Sequence, residues 1–280
     1  MPDSSKSDSD DWTSTTPGPL MAGKRGLIMG VANHNSIAWG IARALRQHGA
    51  ELAFTYQGEA LERRVRPLAE QVGSEIVEHC DVEDMQVLGG VFDTLASHWD
   101  RLDFVVHAIA YSDKEELKGR YVDTSQENFR RTMDVSCYSF TAVAHHAAGM
   151  MTDGGSLLSL SFYGAEKVMP NYNVMGVAKA ALEASIKYLA NDLGPRDIRV
   201  NGISAGPMRT LAGSAIGGAR DILRRSQEVA PLNRNLNQED IGGGALYFLS
   251  DLSQSVTGEI QHIDSGYNAI GMSFAERASD

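Results

Sequence analysis

One alternation constrains this chain more than anything else in it. From Gly26 to Asp264, short continuous apolar runs take turns with helix-length segments. The runs are residues 26–30, 51–56, 75–80, 102–108, 156–161, 198–204 and 259–264, and helices are predicted over 37–48, 59–71, 83–98, 126–150, 173–192 and 239–250. In the first helical segment Ile37, Ile41, Ala44, Leu45 and His48 form one apolar stripe at helical spacing. Strands that are apolar along their whole length must be buried on both faces, and the intervening helices supply the cover. The pattern predicts an α/β fold: a single-domain, Rossmann-like, doubly wound parallel sheet of seven strands with helices on both faces. No linker divides residues 21–272 and no internal repeat is present, so that span reads as one domain. Residues 1–20, rich in Ser, Thr, Asp and Pro, are predicted to be a disordered acidic tail, and 273–280 a short frayed end.

Composition narrows the function classes. The formal charge is −11, from 25 basic and 36 acidic residues, so neither nucleic acid nor an anionic membrane is an expected partner. The two cysteines, Cys80 and Cys137, lie too far apart for a metal knuckle or a redox CxxC motif. His145 and His146 are adjacent, and neighbours on a helix diverge by about 100°, so they are read as structural and no metal site is expected. The N-terminus has no basic, then apolar, signal pattern, and no apolar run approaches the roughly 18 residues that span a bilayer. A soluble cytoplasmic protein is expected.

A doubly wound sheet binds ligands beyond the C-terminal ends of its strands, and the first βα turn is where a dinucleotide pyrophosphate meets a helix N-terminus. Here that turn runs from Gly30 through Ser36 and Ile37 to Gly40, without the common GxGxxG spacing. Gly30 allows close backbone approach. Ser36 either caps the helix or donates its hydroxyl to a phosphate, and Gly40 is read as close helix–strand packing. Gln57 follows the second strand, where an acidic residue would bind the ribose hydroxyls and a basic one a 2′-phosphate. A neutral amide gains nothing from the extra phosphate, which favours NADH. Arg63 and Arg64 read as a solvated helix face. After the third strand come Asp81 and Val82, with Asp81 either accepting from an adenine amino group or N-capping the next helix.

Tyr172 and Lys179 are seven residues apart, two helical turns, so both project from one face of the predicted helix. A phenol is a poor acid alone, and a nearby ammonium stabilises negative charge on whatever the phenol bonds. The lysine can also reach the hydroxyls of a nicotinamide ribose.

Around these residues the chain resembles the short-chain dehydrogenase/reductase superfamily, and within it the enoyl-[acyl-carrier-protein] reductases of bacterial fatty acid synthesis. The resemblance covers about residues 21–272 and rests on GVANHNSIAWGIA (30–42), ELAFTYQGE (51–59), CDV (80–82), VVHAIAYS (105–112), MPNYNVMGVAKAALEASIKYLA (169–190), VNGISAGPMRTLA (200–212) and TGEIQHIDSGY (257–267). Ordinary members of the superfamily use Tyr-x3-Lys, whereas this branch looks like Tyr-x6-Lys. Four residues before Lys179 stands Met175, whose thioether has no proton for a ketone.

The resemblance implies 1,4-reduction of a trans-2-enoyl thioester: hydride to C3, an enolate held by Tyr172, then protonation at C2, with Lys179 fixing the nicotinamide ribose. It implies NADH as cofactor, acyl carrier protein as partner and a homotetramer. It places Ile109 near a ribose, the Met208 backbone against the carboxamide, and Thr210 on the phosphates, with Arg209, Leu211 and Ala212 completing that turn. Ser112 would line the approach of the thioester, and residues from about 208 to 228 would form a substrate lid. The GGARDILRR run within it reads as a solvated helix face or as a docking surface for the acidic carrier.

Two departures stand out. Phe162 occupies a position where many members have a second tyrosine, and the neighbouring Tyr163 should point to the opposite face. Phe162 would therefore contact substrate without hydrogen-bonding it. Ala110 replaces a usual glycine in the loop lining the inner pocket. Two other readings stay open: a reductase of another enoyl or carbonyl substrate, and a catalytically weak NAD(H)-binding paralogue.

Overall fold

The computed structural model describes residues 19–214 and 217–272. The expected tails therefore lie outside the described residues, apart from Pro19 and Leu20. Seven strands, β1 (Arg25–Met29), β2 (Glu51–Tyr56), β3 (Val77–His79), β4 (Phe104–His107), β5 (Gly155–Ser161), β6 (Ile198–Ala205) and β7 (Ile260–Ile263), form one sheet in the order β3-β2-β1-β4-β5-β6-β7. Every pairing is parallel. The order in which successive strands are added reverses between β1 and β4, the switch point at which ligands bind in such folds.

Both faces are covered, as continuous apolar strands require. Leu27, Val105, Leu157 and Val200 face a layer made by α3 (Met85–His98), α5 (Ser139–Met150) and α6 (Asn173–Leu193). Ile28, Val106, Leu158 and Ile203 face α1 (Ile37–Gln47), α2 (Glu59–Gln71) and α9 (Gln238–Leu249). Alternate residues of each strand thus enter separate cores. Local chemistry sets several helix starts. Asp84 accepts the amide hydrogens of Gln86 and Val87 to open α3, and Asn237 with Asp240 makes a reciprocal capping box at α9.

Three segments differ from expectation. The predicted helix over 126–150 is α4 (Gln126–Met133), a π-helical turn (Asp134–Tyr138) and α5. The segment expected as a lid carries two short helices that the apolar periodicity does not mark, α7 (Leu211–Ser214) and α8 (Ala219–Val229). Asp81 does not cap α3: its Oδ1 accepts from the Glu83 amide within the preceding loop, and Asp84 takes the capping role.

Candidate active site

The chain leaves β5 at Ser161, makes a single 3-10 turn (Tyr163–Ala165) and enters α6 through Asn171-Tyr172-Asn173. The two asparagines flanking Tyr172 both have positive φ, 56° and 35°. Asparagine tolerates this region better than other L residues because its short amide can bond locally or nearby. Asn171 Nδ2 donates to the Gly217 carbonyl at 2.6 Å, and Asn173 Nδ2 to the carbonyls of Glu116 and Lys118 at 3.3 Å. The tyrosine is thereby held at the mouth of α6 by the lid on one side and the loop after β4 on the other.

Its ring is buried, 7% exposed, against Leu117, Val174 and Met175. Phe162 meets it edge-on, with centroids 4.9 Å apart and planes at 68°. Two glycines make room. A Cβ on Gly164 would lie 2.4 Å from Tyr172 Cδ1, and one on Gly176 would lie 2.7 Å from the Gly164 carbonyl oxygen. Burial, and then the negative charge of Glu183, push the Tyr172 phenol well above its ordinary pKa. It is held protonated, as a hydrogen-bond donor.

Lys179 lies two turns further along α6, 6% exposed, its Nζ donating to the Leu160 carbonyl at 2.6 Å. Burial lowers its pKa to about 8, so the ammonium persists at neutral pH. Among the described residues no carboxylate stands within ion-pair distance of it. A buried phenol at the N-cap of α6 and a buried ammonium two turns along that helix are both donors, the kind of group suited to an oxygen that gains negative charge. Tyr163 faces the other way, packing on His262 and Tyr267 with its hydroxyl toward the Asn268 carbonyl. Phe162, not a second phenol, is the ring beside Tyr172.

The predicted dinucleotide residues line the same edge of the sheet. Gly30 has φ 97°, and a Cβ there would lie 2.1 Å from the Ala108 carbonyl oxygen, so glycine is required where the loops after β1 and β4 cross. Ser36 is 7% exposed but does not cap α1: its Oγ accepts the amide hydrogens of Ala32 and Asn33 at 3.0 and 3.1 Å. That leaves α1 without a side-chain cap at Ile37, and leaves the Ser36 hydroxyl hydrogen directed elsewhere. Gly40 packs against a helix rather than a strand, since a Cβ there would lie 2.5 Å from Gln238 Cβ on α9.

Gln57 is exposed beyond β2, Asp81 is half-buried beyond β3, and Val82 joins the core beneath them. Ile109 packs on the same core after β4. A cleft of about 450 Å³ brings Asn35 of the first turn together with Met208 and Arg209. Thr210 Oγ1 accepts the Gly213 amide, opening α7, the helix that contains Leu211 and Ala212. Ser112 turns its hydroxyl inward to Asn128 and Thr132 of α4, so it anchors the loop after β4.

A second cleft, also of about 450 Å³, lies between Phe162 and the lid, lined by Met169, Gly206, Pro207, Ile222 and Arg225 among others. Ala110 is exposed on the loop after β4. Five residues that the sequence reading passed over build this site: Gly164 and Gly176 beside the tyrosine, Asn171 and Asn173 flanking it, and Gln238. Gln238 Nε2 donates to the carbonyls of His34 and Ser36 and so ties the first turn to α9. The Asn-Tyr-Asn triplet carried a usable signal, because asparagine favours positive φ; Gln238 carried none.

A family model described as enoyl-(acyl carrier protein) reductase matches residues 30–268. Enoyl-[acyl-carrier-protein] reductase [NADH] 1 of Rhizobium meliloti is 62% identical over 253 residues, 90% of this chain and 93% of the relative. The corresponding reductase of Rickettsia typhi is 55% identical, covering 91% and 97%. Among solved structures, the enoyl-(acyl-carrier-protein) reductase of Anaplasma phagocytophilum in complex with NAD superposes with a TM-score of 0.88 at 54% identity, covering 94% and 98%. The Bacillus cereus enoyl-acyl carrier protein reductase, solved with NADP+ and an indole naphthyridinone, gives 0.89 at 50%, covering 90% and 99%. The family model over residues 30–268 and identity above one half across nine-tenths of the chain lead to one conclusion: this chain belongs to the enoyl-[acyl-carrier-protein] reductase family.

Proposed function

We propose that the protein reduces the trans-2 double bond of enoyl thioesters carried on acyl carrier protein, with NADH, as a step of fatty acid elongation. The observation that carries this reading is the composition of one helix face. Tyr172 and Lys179 are both buried and both donors, while the position four before Lys179 is filled by Met175, packed against the tyrosine. A ketone reductase needs a proton donor there, and a thioether has none. The relatives from Rhizobium meliloti and Rickettsia typhi, each an NADH enoyl-acyl carrier protein reductase, support the same reading.

The residues present fit a dinucleotide. Gly30 lies where any Cβ would fill the crossing of two loops, and α1 begins without a side-chain cap, leaving amide hydrogens for an anion. Gly30, Ser36 and Ile37 would hold the pyrophosphate, Gln57 and Asp81 the adenosine end, and Met208 to Ala212 the nicotinamide side. When bound, NADH supplies the hydride that reaches C3 of the thioester.

This chain's own residues then act on the substrate oxygen. The Tyr172 hydroxyl donates to the thioester carbonyl, and that bond strengthens as enolate charge develops, which lowers the barrier selectively; a proton from solvent added at C2 then completes the reduction. Lys179 bonds the ribose hydroxyls and adds positive charge beneath the same oxygen. Phe162 packs along the acyl chain and shields the bond from water.

Purified enzyme should oxidise NADH with a crotonyl thioester and leave the matching 3-keto thioester untouched. Reduction of the keto substrate at a comparable rate would sink this assignment, and cofactor binding without turnover would favour the NAD(H)-binding paralogue. Better use of NADPH than NADH would overturn the role given to Gln57.

The same reading includes a homotetramer in the cytoplasm. Among the described residues no helix is long and apolar enough to cross a membrane. Val177 and Tyr188, three turns apart on one face of α6, are 37% and 76% exposed, which supports self-association through that helix.

A further inference from the structure

Lys179 is a buried cation with one backbone carbonyl as its protein partner, and the nearest anion on its own helix is Glu183, one turn on and on the same face. The Glu183 carboxylate accepts a short hydrogen bond from the Ser161 hydroxyl. The two bonds sit side by side. Lys179 reaches the carbonyl of Leu160 and Ser161 reaches back to Glu183, so consecutive residues at the end of β5 are clasped to consecutive turns of α6. The next residue along the chain is Phe162, the ring that meets Tyr172.

Glu183 also overlooks a polar row on the sheet. Ser161 pairs in register with Ser204 of β6, and Ser204 with His262 of β7, so all three share the face turned toward α6. Ser204 is 1% exposed and its hydroxyl has no hydrogen-bond partner among the described residues. At the outer end of the row His262 Nε2 meets Glu166 at 2.7 Å, in contact with solvent. Nothing in the reductive chemistry described above uses this row or the carboxylate over it.

We propose that Glu183 is a positioning residue for the Tyr172–Lys179 pair: its carboxylate, anchored to the end of β5 by Ser161, is the counter-charge of the buried Lys179 ammonium. This rests on the reading of those two residues as the working pair.

The surroundings of each group agree with that role. Lys179 faces His107 of β4, whose protonation its ammonium disfavours, and Cys137 of the π-helical turn and Glu183 on α6, which favour the Lys179 charge. Glu183 is faced by Ser161 from β5, Glu166 from the turn after β5, His262 from β7 and Lys187 on α6. Burial raises its pKa, and the Ser161 bond works against that rise. Its negative charge also opposes ionisation of Tyr172. One carboxylate thus keeps both donors protonated. Removing it lets both lose their protons at lower pH.

The test compares the full-length enzyme with Glu183→Gln, whose amide oxygen still accepts from Ser161, and with Ser161→Ala, which keeps the charge but frees it from β5. Two readouts are taken across the alkaline range: kcat with NADH and a crotonyl thioester, and the Kd for NADH from its fluorescence. In Glu183→Gln the alkaline fall of both should move down by half a pH unit or more, about a twofold loss where the wild type is at half-maximum. Ser161→Ala should move it in the same direction by less. An alkaline limb unmoved in both variants, with kcat lowered equally at every pH, would overturn the counter-charge role and leave Glu183 a packing clasp. Should the wild type bind NADH without reducing the enoyl thioester, the proposed function fails, while the pH dependence of NADH binding still decides the role of Glu183.

Discussion

At Ser265 the backbone adopts φ 59°, a region that L residues other than Asn and Asp enter at a cost of roughly 1–2 kcal/mol. Its hydroxyl is buried without a hydrogen-bond partner among the described residues. Ser265→Gly removes both penalties and should raise stability by about 1 kcal/mol, seen as a higher midpoint in thermal unfolding. An unchanged or lower midpoint would mean that the hydroxyl has a use in the folded protein. Tyr172 presents the opposite case, a residue whose loss should spare the fold and remove the chemistry. Tyr172→Phe deletes one donor to a developing oxyanion, a change that typically lowers kcat by about 10²–10³-fold, and NADH affinity should not change. Equal loss of NADH binding would instead make the phenol part of the cofactor site. Elsewhere burial silences reactivity: the Cys80 thiol is pushed up to about 12, too high to act as a nucleophile at neutral pH.

Among the elements, the most consequential is the short path from β5 into α6, because it sets where the tyrosine points. Gly164→Ala would drive a methyl into the Tyr172 ring. Displacing a catalytic group by about 1 Å can lower the rate on the order of 10²-fold, so this variant should lose activity while still binding NADH. Full activity would show that the ring can slide aside. The π-helical turn between α4 and α5 is a second such element. Ser136, at its centre, both accepts from the Tyr111 amide and donates to the Tyr111 carbonyl, fixing the loop after β4. Apolar periodicity over 126–150 suggested one helix, since one turn of wider winding barely disturbs an average taken over seven turns. Of the two roles open to Ser36, capping α1 is not taken, for a related reason. A serine at a helix start has two local choices, and the amides of Ala32 and Asn33 won the hydroxyl because the turn folds back on itself.

Across the whole molecule, one buried group links stability to pH. His107 sits fully buried in β4 between the hydroxyls of Ser139 and Ser159, and burial lowers its pKa to about 3. In the unfolded chain the imidazole returns to about 6.5, so between these values the unfolded state binds the extra proton. The contribution is complete above about pH 6.5 and is lost as pH falls toward about 3. Denaturant midpoints should therefore decline as pH drops below neutrality, and His107→Gln should flatten that decline; an equal slope in the variant would assign it to other groups. Assembly belongs to this scale as well. Tyr188→Glu places a charge on the exposed face of α6 that carries Val177 and should yield species smaller than the proposed tetramer by light scattering, whereas an unchanged mass would move the interface elsewhere.

Strand number, the two-faced burial of the sheet and the gathering of Gly30, Gln57 and Asp81 at one edge were legible in the sequence, because continuous apolar runs alternating with helical segments imply parallel strands whose ends share an edge, whereas the places of Ile109 and Met208 came from the family resemblance. The pairing of Tyr172 with Lys179 was legible too, being set by spacing along one helix. What only the tertiary structure decided involves partners distant in the chain: Gln238 holding the first turn, Gly40 packed on α9, Asn173 bonded to the loop after β4, and Glu183 reached by Ser161. A local pattern determines which face a side chain takes. Whether another element arrives there within hydrogen-bond reach depends on how the whole sheet closes, and no window of neighbouring residues contains that.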